Sequence, residues 1–290
     1  MHEMKKLKKT IIYALALCGV LICVFPLIYM LANSFMKPDE ITGNYGMLNF
    51  IASADSTRKD YASMALIPQK VTAIQYYHLL LRKPKFLIMF WNSVIMTTPI
   101  VAGQIVFSTL AAFGFSKLKF RFRDQIFFVY IIVMMMPFQV TLVPNYLVLN
   151  KLNIMGNYLA VILPGIFSTF GVFLMRQFMR SLPDEYIEAA KIDGAGYPGI
   201  FAKIVVPQCK SGIASLAILV FIDYWNMVEQ PLIFLKNENM HPLSIFLSKI
   251  NEGNLDVAFA CGVLYMLPAV LLFLYCENYF IEGIQLSGIK

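Results

Sequence analysis

The stretch FIDYWNMVEQPLIFL, residues 221–235, holds the densest set of side chains able to bind a polar solute within an otherwise apolar segment. In a helix turning about 100° per residue, Asp223, Asn226 and Gln230 fall within about 60° of one another, with Trp225 and Glu229 nearly opposite. An ionisable group such as Asp223 in a membrane segment normally faces a bundle interior or an aqueous cavity. Tyr224 and Trp225 add aromatic faces suited to stacking on sugar rings, or to the aromatic belt and helix packing. Two readings of this face stay open: a substrate pathway or subunit seam, and a hydrogen-bonded structural aspartate.

Covalent and metal chemistry lack their residues. The histidines are His2, His78 and His241, none in an H-E-x-x-H pattern, and neither a G-x-S-x-G turn nor a G-x-x-x-x-G-K-[ST] phosphate loop occurs. Any ATP-driven step therefore needs a second polypeptide. Cys18, Cys23, Cys261 and Cys276 lie in apolar runs and Cys209 lies beside one, with no C-x-x-C pair, so they read as small packing residues.

The elements that position such a face are separated by a polar connector, SLPDEYIEAAKIDGAGYPGIFAKIVVP, from Ser181 to Pro207. Ser181 with Asp184 three residues on reads as a capping-box-like start, Pro183 suits a first helical turn, and Gly194 and Gly196 supply the stop. Ala189 and Ala190 predict a nearly bare helix face that another protein's backbone could approach. Glu185 and Glu188, and the lack of a basic face with bulky apolar anchors, argue against a helix that lies on the inner leaflet.

Hydrophobic residues make up 59% of the chain and charged residues 14%, and mean hydropathy is +0.66; this is the composition of an integral membrane protein. Six apolar runs approach or reach the ~20 residues needed to span a bilayer: 11–32, 92–115, 125–143, 158–179, 212–235 and 257–281. The first follows Lys5, Lys6, Lys8 and Lys9 but is too long for a signal peptide and lacks a cleavage site, so it reads as a retained helix. With residues 1–10 cytoplasmic, the short inner segments carry thirteen Lys or Arg against three in the two short outer loops, placing both termini inside. The long outer segment, 33–85, adds seven and Lys290 adds one inside. The net charge of +7 is then a topology signal, and nothing offers the soluble basic face a nucleic-acid binder needs.

Smaller features read as structural. Asn92, Gln104, Gln139 and Asn145 are expected to hydrogen-bond between helices, and Pro137, Pro144, Pro164 and Pro268 mark expected kinks or breaks, which in membrane proteins often border cavities. Met134 to Met136 read as adaptable packing. Tyr76, Tyr77 and His78 suggest interfacial anchoring or an external contact.

The connector resembles the permease subunits of binding-protein-dependent ABC importers, through Glu188, Ala189, Ala190, Lys191, Asp193, Gly194, Ala195, Ile204, Val206 and Pro207. FPLIYMLANSF, AAFGFSKLKFRFRD, MPFQVTLVPNYLVLNKLNI, Tyr224 to Asn226 and FIEGIQLSGIK resemble the carbohydrate-uptake, maltose-type branch. The likeness spans most of the chain outside 43–76; Val206 replaces a usual leucine, and Lys210 and Ser211 stand where a second proline is usual. It implies an all-α, six-span, non-catalytic permease with a cytoplasmic coupling loop at 181–210 and a cytoplasmic tail at 282–290. Glu188, Ala189, Ala190, Asp193 and Gly194 would couple to an ATPase, and Asp223, Tyr224, Trp225, Asn226 and Gln230 would border the pathway. The implied partners are a second homologous permease, two ATPase subunits that use ATP and Mg, an extracytoplasmic binding protein and a sugar, in a bacterial-type cell membrane. Alternatives are a permease for a polyamine or peptide, an ATP-independent pore and a non-transporting scaffold.

Overall fold

The computed structural model describes residues 2–45, 65, 67–250 and 255–288, so the expected outer segment 33–85 is described only toward its two ends. Among the described residues all regular structure is helical, as lipid requires of a chain that must satisfy its own backbone. The main elements are α1 (His2–Asn33), α2 (Pro38–Tyr45), α3 (Pro84–Lys117), α4 (Arg123–Met134), α5 (Phe138–Lys151), α6 (Leu159–Ile166), α7 (Thr169–Arg180), α8 (Glu185–Ile192), α9 (Lys210–Trp225), α10 (Glu229–Phe234) and α11 (Ala258–Gly288). Among the described residues four stretches are long and apolar enough to cross a membrane: Lys8–Asn33, Pro84–Lys117, Leu159–Arg180 and Ala258–Tyr279. Two bent pairs bring the number to six if each counts as one span.

The chain forms two compact units. In the unit of residues 1–87 and 246–267, the end of α1 is closed by a buried glutamine. Gln75 Nε2 donates to the carbonyls of Asn33 and Met36 at 2.9 and 2.7 Å, and its Oε1 accepts from Ala260 N at 3.4 Å. Asn33 is the last residue of α1, so its carbonyl has no partner within the helix, and Met36 lies in the turn that follows. Met36, Ile41 and Tyr45 pack there with Tyr29 and Phe259, and Lys83 pairs with Asp256 at 3.1 Å.

The unit of residues 88–245 and 268–290 holds the larger core, in which Met96, Ile100, Ala160, Met175, Met179, Leu216 and Val220 are buried together. Asn92 ties one end of it: its Nδ2 donates to the carbonyls of Asn239 and His241 at 2.7 and 3.0 Å, and its Oδ1 accepts from Tyr158 Oη at 2.7 Å.

Three expectations differ from the structure. The run at 125–143 is divided: α4 and α5 meet at 99° around Pro137, where the missing N–H and the constraint on the preceding residue stop a helix. The run at 212–235 is interrupted after Trp225, and helix resumes at Glu229. Asn226 Nδ2 takes the Ile222 carbonyl at 2.7 Å and Ser244 Oγ takes the Met227 carbonyl. Pro231 has no N–H to offer that same Met227 carbonyl four residues back, so the Ser244 hydroxyl supplies the donor a continuous helix would lack. The capping box at Ser181 does not form: Ser181 is the C-cap of α7, its Oγ donating back to Phe178 O at 2.7 Å, and Asp184 makes no side-chain cap bond at α8.

Candidate functional site: a coupling loop and a polar cavity

Helix α8 is eight residues long and has two unlike faces. Ile187 and Ala190 are buried in the same core cluster as Met175, Met179 and Phe113, whereas Glu188, Ala189, Lys191 and Asp193 are exposed and Ile192 is 86% exposed. The alanine pair is thus not one bare face: adjacent residues point about 100° apart, so Ala190 packs inward and only Ala189 is presented outward. The stop is a Schellman turn. Ala195 N donates to Ala190 O at 2.9 Å and Gly194 N to Lys191 O at 3.0 Å, with Gly194 at φ +83°, the left-handed conformation glycine adopts without steric cost.

The start of the loop is pinned from elsewhere. Lys117 Nζ, at the end of α3, donates to Leu182 O and to Asp184 Oδ1, both at 2.6 Å, with the Lys117 side chain only 3% exposed. That hydrogen bond holds the Asp184 carboxyl below its usual range, although burial opposes it. Lys191 Nζ lies 4.8 Å over the Tyr197 ring, a cation–π contact that closes the two arms of the loop. Beyond Tyr197 the chain is helical to Gln208 and then turns by 75° into α9. Cys209 fills that corner, 1% exposed, and burial pushes its thiol up to about 11.

The second feature lies where the fourth span breaks. Pro164 and Gly165 precede an extended pair, Phe167 and Ser168, and Ser168 Oγ accepts from Gly171 N at 3.1 Å to start α7. The break leaves the Gly165 carbonyl to be taken by Gln104 Nε2 at 2.6 Å. Gln104 is 2% exposed and its Oε1 has no hydrogen-bond partner among the described residues. A cavity of about 200 Å³ opens there, lined by Gln104, Ser168, Phe170, Asp223 and Tyr224 among others, with Asp223 its one charged group.

The structure therefore divides the five pathway candidates. Asp223 and Tyr224 reach the cavity. Trp225 is 2% exposed, stacked on Phe221 at 5.2 Å and edge-on to Phe90 at 5.8 Å, a packing role. Asn226 ends α9, and Gln230 sits on α10 beyond the break, so the continuous polar face does not exist. Sequence reasoning gave Gln104 only a helix-linking role and missed Ser168, whose signal was a serine three residues past Pro164–Gly165 at a helix start.

A discontinuous membrane helix beside a polar cavity, joined to a surface loop rooted in the same core, is the build of a helical transport subunit. The chain belongs to the family described as the binding-protein-dependent transport system inner membrane component, which matches residues 79–284. It is a non-catalytic, multi-pass inner-membrane permease of a binding-protein-dependent ABC importer. An arabinooligosaccharides transport system permease protein of Halalkalibacterium halodurans is 30% identical over 272 residues, 93% of this chain and 92% of that protein. An sn-glycerol-3-phosphate transport system permease protein of Yersinia enterocolitica is 30% identical over 243 residues, covering 80% and 86%. A chain in the crystal structure of a bacterial ABC transporter that imports the acidic polysaccharide alginate superposes with a TM-score of 0.76 at 21% identity, covering 95% of this chain and 97% of that one.

Proposed function

We propose that this permease forms half of a translocation path for a neutral carbohydrate, paired with a second homologous permease. An extracytoplasmic binding protein delivers the sugar, and two ATPase subunits use ATP and Mg. Both termini are cytoplasmic, and Glu188, Ala189, Asp193 and Gly194 form the ATPase-facing side of α8. The observation that carries this reading is the two-faced coupling helix: its outer face is open, while Ile187 and Ala190 are embedded among the membrane helices. A force on α8 thus reaches α7 and α9 without a flexible link, as rocking of helix bundles requires.

The substrate class rests on the cavity and on the name of the arabinooligosaccharide relative. Ser168 and Asp223 offer acceptors to sugar hydroxyls, and Tyr224 offers a ring. The lone carboxylate disfavours a phosphorylated or uronic solute. It also favours a second reading, a cationic solute such as a polyamine. Proteoliposomes with the co-purified complex and its binding protein decide: neutral oligosaccharides should compete for uptake while glycerol 3-phosphate and spermidine do not. Competition by spermidine alone selects the second reading, and uptake without ATP returns the chain to a passive pore.

A further inference from the structure

Where α3 ends, α4 begins and α7 ends, a second cavity of about 390 Å³ is bounded by Arg123, Asp124, Arg176 and Arg180, with Phe127 and Phe128 on its apolar side. Its inner wall is built. Arg176, 7% exposed, donates from Nε to Phe115 O at 3.2 Å and from Nη2 to Asp124 Oδ1 at 3.1 Å, and its guanidinium lies 3.7 Å over the Phe127 ring. Arg123 shares the same carboxylate, at 3.3 and 3.4 Å. Arg180, one turn beyond Arg176, is exposed and pairs with no carboxylate among the described residues. Three guanidiniums thus surround one carboxylate.

A purely structural staple between α4 and α7 needs only Arg176 and Asp124. The surplus positive charge lies in an open cavity, and planar guanidiniums are matched to the oxygens of a phosphate. The apolar side indicates which phosphate. Phe128 is 61% exposed on a membrane-segment helix, so the cavity presents guanidiniums and bare hydrocarbon surface together, as basic pockets between membrane helices that hold anionic headgroups do. We propose that this cavity is a phosphate-binding site filled by the headgroup of an anionic phospholipid, its acyl chains lying along α4. The leaflet, cytoplasmic, rests on the topology proposed above; the binding itself does not.

The test uses the whole importer complex, delipidated in detergent and titrated with phosphatidylglycerol or phosphatidylcholine, with bound lipid counted by native mass spectrometry. Phosphatidylglycerol should be retained preferentially, and R123Q/R180Q should lower its retention about tenfold without changing phosphatidylcholine. R180E, a single change at an exposed residue, should lower it as well and guards against misfolding of the double variant. Equal phosphatidylglycerol retention in wild type and both variants overturns the site. Displacement by low-millimolar inorganic phosphate, without preference between the lipids, overturns the lipid assignment in favour of a soluble phosphate. Loss of the ATPase subunits with lipid retention unchanged makes the arginines a protein-docking patch and also overturns it. Reversed topology moves the site to the other leaflet and leaves every one of these readouts unchanged.

Discussion

Lys117 Nζ lies 2.6 Å from Asp184 Oδ1, across 67 positions of sequence, and joins the end of α3 to the start of α8. The lysine is buried and the aspartate exposed, so losing the aspartate leaves a buried cation with only the Leu182 carbonyl. Asp184→Asn should lower the stability of the complex by about 1 kcal/mol, since an exposed partner is screened, and Lys117→Met should loosen α8 as well. Amide hydrogen exchange over residues 182–195 measures this, with faster exchange expected in both variants.

The same pair sets a pH dependence. The folded Asp184 carboxyl titrates below its unfolded value, so its contribution is present above the unfolded pKa of about 4 and is lost as pH falls through the lower folded value. Protection factors over residues 182–195, with the intrinsic pH dependence of amide exchange divided out, should be flat from neutrality to about pH 5 and fall only below about pH 4. In Asp184→Asn the acid-dependent step should be absent.

The cavity gives a graded series. Asp223→Asn keeps the shape and removes the charge, so it should alter substrate preference with the complex intact, whereas Gln104→Leu strips the Gly165 carbonyl of its donor and should also lower stability, by about 1–3 kcal/mol. Trp225→Ala, in the packed interior, should cost about 3–5 kcal/mol and reduce assembly itself. Uptake competition and size-exclusion yield together separate these outcomes. Wild-type selectivity in Asp223→Asn would remove that carboxylate from the pathway.

Orientation is tested by single cysteines in a background without native ones. Positions 119 and 191 should resist a membrane-impermeant thiol reagent in intact cells, and position 239 should react. Labelling of 191 as readily as 239 reverses the topology.

Much of this was legible from local pattern. Four of the six apolar runs, which fall in single stretches long enough to span a membrane, the stop at Gly194 and Asn92 as an interhelical linker needed only composition and spacing. What was missed depends on distant partners. Ser181 looks like an N-cap, but the residue that fixes the start of α8 is Lys117, and Ser244, 17 positions on, takes the Met227 carbonyl where α9 gives way. Prolines were ambiguous for the same reason: Pro137 ends a helix, while Pro99 and Pro268 sit inside unbroken ones, and only surrounding packing decides which. The separation of Ala189 from Ala190 was available from helical geometry alone.

The central claim is that α8 carries work from a partner ATPase into the membrane helices, and stimulated ATP hydrolysis in proteoliposomes tests it most directly. Ala189→Trp places bulk on the exposed outward face, and Gly194→Val forces a β-branched residue to positive φ, at a cost of order 1 kcal/mol or more. Both variants should insert and pair with the second permease, yet binding-protein-stimulated hydrolysis and uptake should fall together, with Glu188→Lys weakening ATPase retention by charge reversal. Ala190→Trp should instead fail at assembly, because that residue is buried. Wild-type stimulation and uptake in Ala189→Trp, Gly194→Val and Glu188→Lys alike would contradict the account.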